Sequence, residues 1–125
     1  MSKATNISVE RVVPLHGVRD RAKLSALTVA MRGGWDGRPL LGELLLDGYT
    51  VRLWTGSHRF AAALHAGLED VPVVLIDTDA LDAAGLERGS DTSFREAMDE
   101  DDDAILAALA AADADAAALL AKDIR

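Results

Sequence analysis

A chain of 125 residues with a net charge of −8 and no cysteine has room for about one folded domain; disulfides, thiolate metal centres and cysteine nucleophiles are excluded. Half of the residues are apolar and 4% are aromatic, so the composition excludes wholesale disorder and predicts an aliphatic core. No apolar run nears the roughly 18 residues of a membrane span, and the first residues lack a signal-type apolar stretch, so a cytoplasmic protein with no membrane partner is expected.

Residues 6–13 mix β-branched and polar side chains up to Pro14 and predict a first strand. Asp20 can cap a helix whose Leu24, Leu27 and Met31 share one face, ending at Gly33-Gly34. Trp35 to Pro39 reads as a loop. Residues 40–46 and 49–55 flank Asp47-Gly48, a two-residue hairpin signal. In the second of these strands Trp54 lies on the face opposite Val51 and Leu53, where packing under a helix suits it better than ligand contact. Gly56 ends that strand, and Ser57 is placed to cap a short helix running to Gly67, with Phe60, Ala61 and Leu64 inward. Residues 71–76 are apolar throughout and predict a buried strand. Further helices are predicted over 78–86, 92–98 and 102–122. The order βαββαβ followed by helices gives the α+β class: a small mixed sheet with helices.

The charge divides the chain. Residues 1–76 hold nine Lys/Arg against seven Asp/Glu, net +2, whereas residues 77–125 hold four against fourteen, net −10. This shift predicts a compact domain over 1–78 and an acidic, alanine-rich helical extension over 79–125. The run Asp99 to Asp103 lacks the spacing and central glycine of a calcium loop and reads as a solvated helix start. Helix 102–122 has a thin apolar stripe (Ile105, Leu106, Leu109, Leu119, Leu120) suited to a homodimer or a protein partner, with folding back onto the sheet as the alternative. Residues 99–125 are therefore expected to be removable without unfolding the rest.

The chemistry concentrates in Thr55-Gly56-Ser57-His58-Arg59, between a strand and a helix. A helix start offers unpaired N–H groups and the positive end of the dipole. Gly56 permits close backbone approach, Ser57 can cap or donate, Arg59 offers a planar fork of donors, and His58 can exchange a proton near neutrality. On spacing alone an anion site and a plain capped helix stand about equal. Trp35 and Arg38 form a second candidate, able to stack on a base and hold a phosphate; Trp35 as a plug at the core edge is the alternative. His58 and His65 are two helical turns apart, and no third ligand is in view, so no metal site is expected. His16 reads as a solvated loop residue. Asp20, Glu43 and His58 are the candidates for a catalytic base.

Together these pieces resemble the N-terminal domain of the ParB/sulfiredoxin superfamily. The resemblance rests on Val12-Val13-Pro14, the Gly34 to Pro39 loop, Asp47-Gly48, Gly56-Ser57-His58-Arg59, Ala61-Ala62-Ala63, Ala66-Gly67 and Val71-Pro72-Val73, about 70 residues in all. It implies a nucleotide site for ATP, ADP or CTP, with or without Mg²⁺. Gly56, Ser57, His58 and Arg59 would hold the phosphates, with Arg38 and Trp35 nearby. Sulfiredoxins carry cysteine at the position of Ser57, so their reduction chemistry is not expected here. Chromosome-segregation members carry a basic DNA-binding domain after this one; the acidic residues here make direct DNA binding unexpected. The implied function is a nucleotide-binding module, regulatory or from a phage or mobile element. The alternatives are a phosphotransfer, nucleotide-hydrolysing or nuclease enzyme of the same fold, or a protein-interaction module.

Overall fold

The computed structural model describes residues 4–89, 92–98 and 101–124. Five strands form one mixed sheet: β1 (Ala4–Ser8), β2 (Val12–Val13), β3 (Leu40–Leu44), β4 (Val51–Thr55) and β5 (Asp70–Leu75), in the spatial order β1-β5-β3-β4-β2. The β1–β5 and β3–β4 pairs are antiparallel; β3–β5 and β2–β4 are parallel. The helices are α1 (Arg21–Met31), α2 (Ser57–His65), α3 (Thr78–Ala83), α4 (Phe94–Ala97), α5 (Asp102–Ala112) and α6 (Ala114–Ile124). The α+β class and the mixed sheet are as the sequence predicts. No helix among the described residues is long and apolar enough to cross a membrane.

The predicted first strand is two strands on opposite edges of the sheet. The 3₁₀ turn Val9–Arg11 separates them. A flat five-stranded sheet would hold its edges roughly 19 Å apart, whereas this connection spans only about 8 Å at a 3₁₀ rise. The sheet must therefore curl until its edges approach. That curl is a property of the closed sheet, and nothing local in residues 6–13 signals it.

Each central strand alternates between two cores. Leu40, Val51, Leu53, Val71 and Val73 face one side with Ile7, Val12, Phe60 and Ala63. Leu41, Trp54, Val74 and Ile76 face the other with Leu81, Phe94, Ile105, Leu109, Ala116, Ala117 and Leu120. The period-two pattern of β4 thus places Trp54 opposite Val51 and Leu53, as expected.

The expected break at residue 78 is not a break in the packing, because the second core draws on both segments. The helices of 79–125 cover a sheet face, the arrangement first weighed as the alternative. The predicted 102–122 helix is two helices. Asp113 has an extended backbone, ends α5 and accepts from the Ala116 amide at 3.1 Å and the Asp77 amide at 3.4 Å. A short acidic side chain competes well for such N–H groups, so an aspartate inside an alanine run starts a new helix. The break turns Ile105, Leu109, Ala116, Ala117 and Leu120 onto one core. Asp99 and Glu100 of the acidic run lie outside the described residues; Asp101 caps α5, with exposed Asp102 and Asp103 in its first turn.

Two local expectations change. The hairpin loop is four residues, closed by the Leu45 amide on the Thr50 carbonyl at 2.8 Å, because the Asp47 carboxylate gathers the Tyr49 and Thr50 amides and the Thr50 hydroxyl. In α2 the buried positions are Ser57, Phe60, Ala62 and Ala63, while Leu64 is exposed.

Candidate functional site

The chain turns from β4 into α2 at Gly56, whose φ of 84° is left-handed. Gly56, not Ser57, is the N-cap, and it brings no side chain to the first amides of the helix. Ser57 becomes the first helical residue. Its side chain is buried, at 4% residue exposure, and its hydroxyl has no hydrogen-bond partner among the described residues. A buried hydroxyl left unpaired costs about 1–3 kcal/mol.

This turn opens onto a cavity of about 600 Å³. Gly56, Ser57, His58, Arg59 and Arg38 line it, so five of the six predicted phosphate-site residues come together. Added to them are His16, Arg19 and Lys23 from the start of the α1 region, and Arg95 and Lys122 from the C-terminal helices. The facing acids are Glu96, Asp102 and Asp123. Basic groups predominate on this wall of an acidic protein, which favours an anionic ligand.

The guanidinium of Arg59 is held from two sides. Nη1 donates to the Arg38 carbonyl at 2.6 Å, and Nη2 donates to Asp123 Oδ2 at 2.8 Å. The other oxygen of Asp123 takes Arg38 Nη2 at 2.5 Å. Burial pulls Arg59 below the usual arginine range and the Asp123 charge opposes it; a guanidinium stays charged throughout.

His58 has a different task from that of a free base. Its Nε2 accepts from the backbone amides of Arg19 and Asp20 at 3.1 and 3.0 Å. Accepting there requires the neutral imidazole with its hydrogen on Nδ1, which leaves a donor and not a base. The His16 ring meets it edge-on at 5.8 Å, so His16 belongs to the site and is not merely a solvated loop residue. Partial burial, and then the Lys23 and His16 charges, hold His58 below its ordinary value of 6.5. A histidine whose folded value is depressed stabilises the fold above its unfolded value, and that stability is lost as pH falls from 6.5 through the folded value. The melting temperature is therefore expected to fall between pH 7.5 and 5. His58→Gln, which keeps an acceptor but cannot titrate, should flatten that part of the profile. An unchanged slope in the variant would remove His58 as its cause.

The remaining candidates sit elsewhere. Trp35 does not line the cavity; its indole donates to the Gly37 and Arg38 carbonyls at 3.2 and 3.3 Å and its body packs on the core beneath α2. That is the core-edge alternative. The Asp20 carboxylate caps α1 by accepting from the Lys23 amide at 3.0 Å. Glu43 is fully buried away from the cavity. It accepts from the Trp54 indole and the Phe94 amide at 2.8 Å each and from Arg88 at 2.7 Å. Burial raises the Glu43 carboxyl above its ordinary value while these three donors oppose the rise, so the carboxylate fastens Arg88 and the Phe94 amide to the sheet. Among the described residues no three His, Asp or Glu side chains cluster as a metal site.

Sequence reasoning missed Arg19, Lys23, Arg95, Lys122 and Asp123. The first two are separated from α2 by most of α1 and the β3–β4 hairpin, and the last three lie in the segment read as an extension.

No protein-family model matches the chain, and no curated protein does. Solved structures do share its fold. Sulfiredoxin from Arabidopsis thaliana is 20% identical with a TM-score of 0.50, over 58% of this chain and 82% of that one. A free serine kinase in complex with AMP is 18% identical with a TM-score of 0.53; the match covers 69% of this chain and 45% of that one, so this chain spans less than half of the kinase. A C-terminally truncated chromosome-partitioning protein ParB from Caulobacter crescentus, complexed with CTP-γ-S, is 18% identical with a TM-score of 0.51, over 98% of this chain and 99% of that one. The chain has the ParB/sulfiredoxin-like fold.

Proposed function

We propose that the chain binds a nucleotide (ATP, ADP or CTP) with its phosphates at the helix start formed by Gly56, Ser57, His58 and Arg59. One observation carries this reading: the Ser57 hydroxyl is buried and unpartnered at the start of a nine-residue helix whose glycine cap supplies no acceptor. A phosphate oxygen would satisfy it together with the first helical amides. The basic wall of the cavity supports the same ligand class. So does the fold, since structures that share it hold AMP and CTP-γ-S. Any Mg²⁺ would arrive on the phosphates and needs only one or two carboxylates from the protein, for which Glu96 and Asp102 stand on the cavity wall. A second reading, as an enzyme, has less behind it, because His58, Asp20 and Glu43 are all engaged in holding the fold.

Calorimetry of the full chain against ATP, ADP and CTP, each with and without Mg²⁺, tests the proposal. Arg59→Ala should weaken binding by about ten-fold or more, the value of a charge-assisted contact. Its melt should remain cooperative, since Arg38 still pairs with Asp123. Heat from none of the nucleotides, or unchanged affinity in a folded Arg59→Ala, would overturn the assignment.

A further inference from the structure

The Asp123 carboxylate sits where the proposed phosphate site needs its arginines. Its side chain is only 6% exposed, and its two oxygens bridge Arg38 and Arg59, guanidiniums brought from two different elements. One anionic group gripped by two arginines is the geometry in which a phosphate is held. The Nη1 of Arg59 already donates to the Arg38 and Pro39 carbonyls, at 2.6 and 3.5 Å, and its Nη2 is the nitrogen bound to Asp123. An incoming anion cannot gain Nη2 without sharing or displacing Asp123.

We infer that Asp123 is an internal competitor for the phosphate site, and that a nucleoside di- or triphosphate displaces the last turn of α6 as it binds. The inference rests on the nucleotide reading above and adds its regulation. Two features make displacement the favoured outcome. A phosphate group brings more charge and more acceptor oxygens than a carboxylate. It also reaches the buried Ser57 hydroxyl, which Asp123 leaves unpartnered. The mobile piece is short. Ala116, Ala117 and Leu120 anchor α6 in the core, so the turn that carries Lys122 and Asp123 can swing while the rest of the helix stays seated. Lys122 lines the same cavity and is carried on the same turn. The site would thereby report its occupancy on the outer surface of α6.

The test uses the full chain with ADP and CTP as probes. Hydrogen exchange of residues 121–124, the last turn of α6, should rise in the wild type when nucleotide is added, while residues 55–60 become more protected. In calorimetry Asp123→Asn, which keeps the shape but loses the competing charge, should bind about ten-fold tighter than wild type. If nucleotide binds but exchange in 121–124 stays level or falls, the displacement is wrong, whatever the variant does. If Asp123→Asn binds no better or more weakly, Asp123 orients the arginines and does not compete for them. If neither protein binds either nucleotide, the nucleotide reading itself fails and the competitor with it.

Discussion

A chain ending at residue 98 should lose its cooperative melt. The core on one face of the sheet is completed by Ile105, Leu109 and Leu120, all fully buried, together with Ala116 and Ala117. Burying one such large aliphatic side chain is worth about 1.5–3 kcal/mol, so the three represent roughly 5–9 kcal/mol. Whole domains of this kind are stable by only about 5–15 kcal/mol. The same cut uncovers Leu41, Trp54, Val74, Ile76, Leu81 and Phe94 to water. It also removes the carboxylate between Arg38 and Arg59, leaving two partly buried guanidiniums facing each other. Far-UV circular dichroism should record a broad transition or none, with exposed apolar surface visible by dye binding. A truncated chain melting sharply within a few degrees of the full one would mean that α5 and α6 are not needed for the core.

The charge arithmetic of the sequence points the other way, because it reads only one surface of the helices. Segregated charge describes the outer surface of α5 and α6, where Asp102, Asp103 and Asp115 are exposed. It carries no information about the inner surface, where Ile105, Leu109 and Leu120 are spread over two helices among alanines. The signal that could have corrected it was Asp113, a natural helix start inside an alanine run. With a break placed there, Leu109 and Leu120 belong to separate helices and can converge on one core. Elsewhere the local signals were sufficient. Alternation along 51–55 sorts Val51 and Leu53 from Trp54, and a glycine between a strand and a helix marks the turn that bears Ser57 and Arg59. The partners of these residues were not legible, because ion pairs are set by tertiary approach. Arg59 meets Asp123 across 64 positions, and Glu43 meets Arg88 across 45. A lone acid in an apolar strand reads equally as a base or as a buried tie until its donors are seen. Ser57 is the sharpest case. A serine before a helix reads as its cap; the left-handed glycine takes that role and moves Ser57 one place inward, which leaves its hydroxyl without a partner.

Gly56→Val should be the most damaging single substitution at the site, lowering the melting temperature by roughly 10 °C or more and abolishing nucleotide binding. Two costs combine. At a φ of 84° any L side chain is strained, by about 1–2 kcal/mol, and more for a β-branched one. A Cβ there would also lie 2.3 Å from Leu40 Cδ2 and 3.0 Å from Arg59 Nη2. Leu40 is fully buried in the core beneath α2, so its methyl group has nowhere to retreat, and overpacking of this kind costs about 1–3 kcal/mol. The contact with Nη2 falls on a nitrogen of the proposed phosphate site, so binding should suffer even where the fold survives. Gly67→Ala separates the two costs. Its φ of 82° is nearly the same, and no atom of the described residues lies within 4 Å of a Cβ placed there. Gly56→Ala should therefore lower the melting temperature clearly more than Gly67→Ala, the excess being the crowding against Leu40 and Arg59. Equal shifts in the two alanine variants would show that Leu40 yields freely, and only the backbone cost would remain.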